Sequence, residues 1–268
     1  MADSPFTLLV NSCDKFSDTW PGCFRLLKEY GVEGFDTDGI MLVTERTASY
    51  DAEGLPIRCS RANREISEYR TSSECLIDAL DQLRTPLVLY IQDDYFIEQP
   101  MNADLVNAMA RKMIDDPTIA HIGLTHQGSK GPFRPTDDDR LWSIGQKAGY
   151  RVSTQAGLWR VPVLRSYLRP EENNWMFEIY GTRRAWRRKE TFLTVNRDRP
   201  EPITYTLTGI IKGRWHRGMP ALFEKHGIPM DFSKRGMYDQ PPMLLRRWET
   251  FRTLLKDPAR LFNGLRGV

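Results

Sequence analysis

Apolar residues fall along the chain in two alternating textures. Compact runs occur at Phe6–Val10, Ile40–Val43, Leu87–Ile91 and Ile119–Leu124. Each is too short for a helix and suits a strand buried on both faces. Between them, apolar residues recur at helical spacing: Trp20, Cys23, Phe24, Leu26 and Leu27, then Cys75, Leu76, Ala79, Leu80 and Leu83, then Leu105, Val106, Met109 and Met113. The spacing predicts Ser17-Asp18 as the cap of the first of these helices and Gly31 as its end, and Ser72-Ser73-Glu74 as the opening of the second. Strand, helix, strand repeated in this way predicts βαβ units and a parallel sheet.

The pattern is less regular further on. Asp51–Ser60 reads as a loop and a weak strand, and Thr125–Arg140, rich in Gly, Pro, Ser and Asp, as a long loop. Loops of that length in compact domains tend to be functional, so a flexible lid is expected there. Tyr150–Leu158 is strand-like, Val163–Leu168 a short helix, Ile179–Trp186 a further helix and Ile203–Ile211 a last strand. Leu244, Leu245, Trp248, Phe251, Leu254 and Leu255 lie at helical spacing with arginines between them. The expected organisation is one α/β domain over residues 1–240 and a basic amphipathic helical extension over 241–268, which could lie on an anionic membrane or pack on the domain.

Composition narrows the function classes only a little. In 268 residues, 40% hydrophobic and 27% charged, there is enough apolar material for a sizeable core. A net charge of +3 does not by itself argue for nucleic acid. No apolar run reaches the ~20 residues of a transmembrane helix, and Met1–Phe6 lacks a signal-peptide pattern. Cys13, Cys23, Cys59 and Cys75 show no Cys-x-x-Cys spacing, so neither a zinc site nor a disulfide framework is indicated. A cytoplasmic setting is expected.

The chemistry concentrates at strand ends. The run Leu87–Ile91 finishes in Gln92, Asp93 and Asp94. Adjacent carboxylates at the end of a buried strand are costly unless something positive sits there. A divalent cation carrying a diphosphate would supply that charge; the alternative is an Asp pair capping a loop. Asn11-Ser12-Cys13-Asp14 and Thr44-Glu45 end the first two strands at the same edge, so Asp14 and Glu45 are candidates to meet a nucleotide or to cap helices. Asp36-Thr37-Asp38 precedes its strand, on the opposite edge, and Asp137–Asp139 reads as a solvated run. The helix opening at Ser72-Ser73 could hold a phosphate or a ribose. Glu178, among Trp175, Met176, Phe177 and Ile179, sits where a raised pKa would suit general-base work. Arg183, Arg184, Arg187, Arg188 and Lys189 form either an anion-binding run or a solvated helix face. Lys212-Gly213-Arg214-Trp215-His216-Arg217 could neutralise a diphosphate and close over it.

Taken in order, Asn-Ser-Cys-Asp-Lys-Phe-Ser-Asp-Thr-Trp, Gln-Asp-Asp-Tyr-Phe, Gln-Ala-Gly-Leu-Trp, Glu-Asn-Asn-Trp-Met-Phe-Glu and Ile-Lys-Gly-Arg-Trp resemble bacterial glycosyltransferases of the GT-A fold that build surface polysaccharide and lipopolysaccharide. The resemblance implies a Rossmann-like, mostly parallel sheet flanked by helices and a nucleotide-sugar donor, UDP-linked in the commonest case. It implies that Asn11, Ser12, Asp14, Ser73, Asp93, Asp94, Lys212 and Arg214 bind that donor, and that Gln155 and Trp159 line the sugar and acceptor pocket. Glu178 would be the catalytic base of an inverting transfer to a glycan or lipid-linked glycan. Asp94 would bind Mn²⁺ or Mg²⁺. Gln92 stands where the family's first metal-site acid often is, so a metal-independent enzyme relying on Lys212 and Arg214 is the other outcome. A sugar-phosphate nucleotidyltransferase would want a Gly-rich phosphate loop, which Asn11–Ser17 lacks. A non-enzymatic nucleic-acid-binding module through Arg183–Lys189 is the remaining alternative, and no nucleic acid is expected as a partner.

Overall fold

The computed structural model describes residues 4–52, 54–62, 70–206 and 208–239; the expected basic extension over 241–268 lies outside them. In chain order the elements are β1 (Phe6–Asn11), α1 (Trp20–Glu29), β2 (Thr37–Leu42), β3 (Ile57–Cys59), α2 (Ser72–Asp81), β4 (Leu87–Gln92), α3 (Ala103–Asp115) and β5 (Ile119–Gly123). Then follow β6 (Phe133–Pro135), β7 (Leu141–Ile144), β8 (Gly157–Arg160), α4 (Val161–Tyr167), α5 (Asn174–Ala185), β9 (Thr191–Val195), β10 (Ile210–Ile211), β11 (Arg214–Trp215) and α6 (Met219–Lys225).

Nine strands make one sheet in the order β3-β2-β1-β4-β8-β5-β9-β7-β6, and β10 and β11 form a separate hairpin. β1 pairs in parallel with both β2 and β4, β2 with β3, and β5 with β9. Only β8 and β7 run against the rest. The result is the expected α/β architecture, a mostly parallel sheet flanked by helices.

Side chains of the central strands alternate between two cores, as the two-residue period of a strand requires. Leu8 and Val10 of β1 and Leu89 and Ile91 of β4 face Trp20, Phe24 and Leu27 of α1 and Val106, Met109 and Met113 of α3. Leu9, Val88 and Tyr90 face the other way, against Leu76 and Leu80 of α2, Leu164 and Tyr167 of α4 and Phe177 of α5. Burial on both faces is why these strands read as continuous apolar runs.

Several expectations are corrected. The stretch expected as a lid, Thr125–Arg140, contains β6, which pairs antiparallel with β7 and extends the sheet. Ile203–Ile211 is not a strand of that sheet; among its described residues, Tyr205 bridges Ile97 and only Ile210–Ile211 pairs, with β11. Thr71, rather than Ser72, caps α2. Its hydroxyl accepts the Glu74 N–H at 3.1 Å and the Glu74 carboxylate accepts the Thr71 N–H at 2.7 Å, a reciprocal capping box.

α5 is fixed by a buried ion pair. Arg184 donates through both terminal nitrogens to Glu172, at 2.6 Å each, and to the Tyr167 carbonyl at 2.6 Å. The loop carrying Glu172 also rests on α2, because Ser73 donates to the Glu172 carbonyl at 2.6 Å. Removing one partner of such a pair strands a buried charge, at a cost of about 3–5 kcal/mol, whereas an apolar replacement of both is near neutral. Arg184→Met is therefore expected to lower the urea midpoint by that equivalent, and Arg184→Met with Glu172→Leu to recover most of it.

Candidate functional site

β1 and β4 are neighbours, in register from Phe6 opposite Leu87 to Asn11 opposite Gln92. From β1 the chain moves outward to β2 and β3 before returning as β4 on the other side of β1. The sheet order therefore reverses between these two strands, and at such a switch point open α/β sheets leave a crevice beyond the carboxyl ends. A cavity of about 450 Å³ lies there. Asn11, Ser12, Cys13 and Lys15 line it from the end of β1, Gln92, Asp93 and Asp94 from β4, Asn174 from α5, and Thr208, Ile210, Lys212 and Gly213 from the second hairpin.

Asp93 and Asp94 are 5% and 7% exposed. Each is held through Oδ2 by segments distant in sequence. Asp93 accepts the Ser12 and Thr19 hydroxyls, both at 2.7 Å. Asp94 accepts the Thr208 hydroxyl and, at 3.1 Å, the Ile210 N–H. Neither acid forms an ion pair among the described residues. Burial, and then the charge of Asp94, push the Asp93 carboxyl up to about 7; burial also raises Asp94. Beyond hydrogen-bond contact, the charge of Arg235, clamped on Asp18 at 2.6 Å and lying 4.3 Å over the Phe16 ring, favours ionised Asp94.

The loop over Asp94 depends on glycine. Gly209 donates to the Asp94 carbonyl at 2.8 Å, and a β-carbon at 209 would overlap the Phe96 ring. The β10–β11 turn consists of Lys212 and Gly213 at φ +50° and +79°. Two consecutive positive φ values match the twist of a tight hairpin, and the turn brings Lys212 to the cavity.

Glu178 lies on α5, one turn beyond the cavity residue Asn174. Its Oε1 accepts the Thr154 N–H at 2.8 Å, the Thr154 hydroxyl at 3.0 Å and the Ser153 hydroxyl at 3.1 Å. Oε2 accepts none among the described residues. Burial raises its pKa against the lowering effect of those donors. The Tyr90 hydroxyl, which accepts an N–H from Asn11 at 2.9 Å, feels the charges of Glu178, Asp93 and Asp94 together. Asn11 Oδ1 is buried without a partner among the described residues, an acceptor left for a ligand N–H.

The sequence-predicted residues divide. Asn11, Ser12, Asp93, Asp94 and Lys212 line the cavity. Gln155 lies one step behind it, donating to the Tyr95 hydroxyl at 2.9 Å, which also accepts Gln92 at 3.0 Å. Ser73 does not line the cavity, because its hydroxyl is spent on Glu172; its neighbour Ser72 does. Asp14 accepts the backbone N–H groups of Glu45, Arg46 and Thr47 at 2.9–3.1 Å, while Glu45 accepts that of Asp14, so both acids tie two loops together. Trp159 is fully buried on β8 against His121 and Phe192, so it lines no pocket open to substrate. Arg214 is exposed on β11, outside the cavity lining. Lys15 and Asn174 stand inside motifs that give neither a role of its own, and nothing local in the sequence marks Thr208 or Arg235. In the basic run, Arg184 and Arg188 are committed to Glu172 and Glu190.

No group of three or more His, Cys, Asp or Glu among the described residues could hold a metal ion alone. Two buried, unpaired carboxylates nonetheless fit part of the oxygen shell of a hard cation, with phosphate oxygens completing it.

No family model matches the sequence, and no curated protein matches it significantly. Among solved structures, the chain is similar to Staphylococcus aureus TarS 1–349 at a TM-score of 0.46 and 14% identity, over 73% of this chain and 59% of that one. A mycobacterial protein gives 0.43 and 14%, over 73% and 68%. Glucosyl-3-phosphoglycerate synthase from Mycobacterium tuberculosis, in complex with Mn²⁺ and UDP-glucose, gives 0.31 and 12%, over 44% and 42%. The chain thus spans less than two thirds of the length of TarS 1–349. Among the described residues no helix is long and apolar enough to cross a membrane.

The acid pair makes a pH prediction. A carboxyl whose folded pKa is raised stabilises the fold below its unfolded value, and that contribution is lost as pH rises through the folded value. With chelator present, the Tm contribution of Asp93 should fall between about pH 4 and about pH 7 and then level off. Asp93→Asn should flatten this slope in a thermal-melt series; an unchanged slope would contradict the assignment.

Proposed function

We propose that this protein is a glycosyltransferase. It moves a sugar from a nucleotide-sugar donor, UDP-linked, to a hydroxyl of a glycan or lipid-linked glycan acceptor, with inversion at the anomeric carbon. The observation that carries the reading is the buried acid pair, Asp93 and Asp94, at the switch-point cavity. α5 reaches that cavity through Asn174, while Glu178, on the next turn of that helix, stands outside the cavity lining. The pair suits a cation-bound diphosphate; the single carboxylate suits a base.

In this reading the diphosphate lies over the ends of β1 and β4, with Lys15 and Lys212 at its oxygens. The unpartnered Asn11 Oδ1 accepts an N–H of the donor. Asp94, with Asp93 beside it, would hold a divalent cation, which supplies positive charge to the leaving diphosphate. Glu178 Oε2 takes the proton of the acceptor hydroxyl. The acceptor oxygen bonds to the anomeric carbon from the face opposite the diphosphate. The bond from that carbon to the diphosphate oxygen breaks, and its electron pair leaves with the nucleoside diphosphate. The Ser153 and Thr154 donors fix Oε1, so the free oxygen is the one that meets the acceptor.

A thermal-shift screen against UDP-, GDP-, dTDP- and CMP-sugars, each with and without Mn²⁺, tests the donor site. At 100 times its dissociation constant a donor adds about 2.7 kcal/mol of stability, and the UDP-sugar with Mn²⁺ is expected to give the largest shift. No shift under any condition would overturn the reading. Glu178→Gln should keep the donor shift and lower kcat by about 10²–10⁴. In the unaltered enzyme the rate should rise with pH as Glu178 ionises, with a midpoint above the ordinary carboxylate range, and that limb should vanish in Glu178→Gln.

A further inference from the structure

Trp175 stands apart from the other tryptophans of the described chain. Trp20, Trp159 and Trp215 are buried. Trp20 packs on Tyr50, Trp142 on Phe133, Trp159 on His121, Trp215 on Phe96, and Trp186 carries Lys147 over its ring. Trp175 is 38% exposed, and among the described residues its ring meets no aromatic or cationic partner and its indole N–H makes no hydrogen bond. A large apolar ring left in water this way forfeits burial that its counterparts gain.

Its position is specific. Trp175 is in the first turn of α5, directly after Asn174, which lines the cavity, and three residues before Glu178. Positions three apart share one face of a helix, so the ring sits on the Glu178 side of α5. Polar side chains surround it along the chain: Glu171 and Asn173 are exposed and Asn174 reaches the crevice. An exposed aromatic ring whose sequence neighbours carry carboxylate and carboxamide groups offers what a pyranose needs, an apolar surface for its C–H face and polar groups for its hydroxyls.

We infer that Trp175 is the platform on which the acceptor's terminal sugar ring stacks, setting a hydroxyl against Glu178. This rests on the transferase reading above and adds the acceptor subsite and its ligand class, an uncharged carbohydrate ring. Trp175 acts in binding and takes no proton.

Saturation-transfer NMR on the full chain, with UDP and Mn²⁺ present, can test it using gluco-, galacto- and manno-configured methyl glycosides and disaccharides as probes. Wild type should transfer saturation to the C–H protons of one ring face. Trp175→Ala should bind that probe about five- to tenfold more weakly and Trp175→Phe should retain most of it, both keeping the wild-type donor shift and melting temperature. Equal probe binding by Trp175→Ala, or no probe bound by wild type while the donor shift is intact, would overturn this inference and leave the donor reading standing. Absence of the donor shift itself would remove the reading and this inference together.

Discussion

Two adjacent carboxylates, buried and without an ion-pair partner among the described residues, are the constraint around which this fold is arranged. An unpaired buried carboxylate is among the costlier groups a protein can carry, and here Asp94 raises the price for Asp93. The chain offsets part of that cost with neutral donors brought from far apart. Ser12 and Thr19 come from the loop after β1, and Thr208 and Ile210 from a hairpin more than a hundred residues later. Those bonds tie the first loop and the late hairpin to the end of β4. They also set Lys15 and Lys212 at the cavity between them. The site is held by the groups that make its acids tolerable, and a cation would complete what hydroxyls leave undone.

The second carboxylate is supported differently. Glu178 belongs to α5, which is anchored away from the cavity by the Glu172–Arg184 pair and by the docking of the Glu172 loop on α2. Three donors on one oxygen leave the other oxygen available and restrain it. The pair and the single carboxylate are thus mounted on separate supports, the end of β4 with its hydroxyl donors and α5 with its ion pair.

Much of this was legible in the chain because the central strands are buried on both faces. β1, β4, β5 and the second half of β2 appear as apolar runs, and the polar stops after β1 and β4 locate the functional edge. Where burial was partial, the pattern failed. β6 is an edge strand and its neighbour β7 is half-buried, so the stretch that contains β6 has the pattern of a loop. β9, Thr191–Val195, follows a basic run and went unread. Trp159 sat in a motif suggestive of a pocket, yet β8 turns it into the core. Asp14 and Ser73 have the side-chain chemistry for ligand binding but are consumed by backbone partners, which a linear pattern cannot reveal. Thr208 and Arg235 reach the acid pair only through tertiary closure.

On the proposed reading, Asp93 and Asp94 complete their charge balance with a divalent cation and a nucleoside diphosphate together. Electron paramagnetic resonance of Mn²⁺ titrated into the protein, with and without UDP, tests it most directly. Mn²⁺ alone should bind weakly, binding should become tight with UDP present, and the tight component should be lost in Asp94→Asn. Identical Mn²⁺ spectra with and without UDP, or tight binding retained in Asp94→Asn, would contradict it.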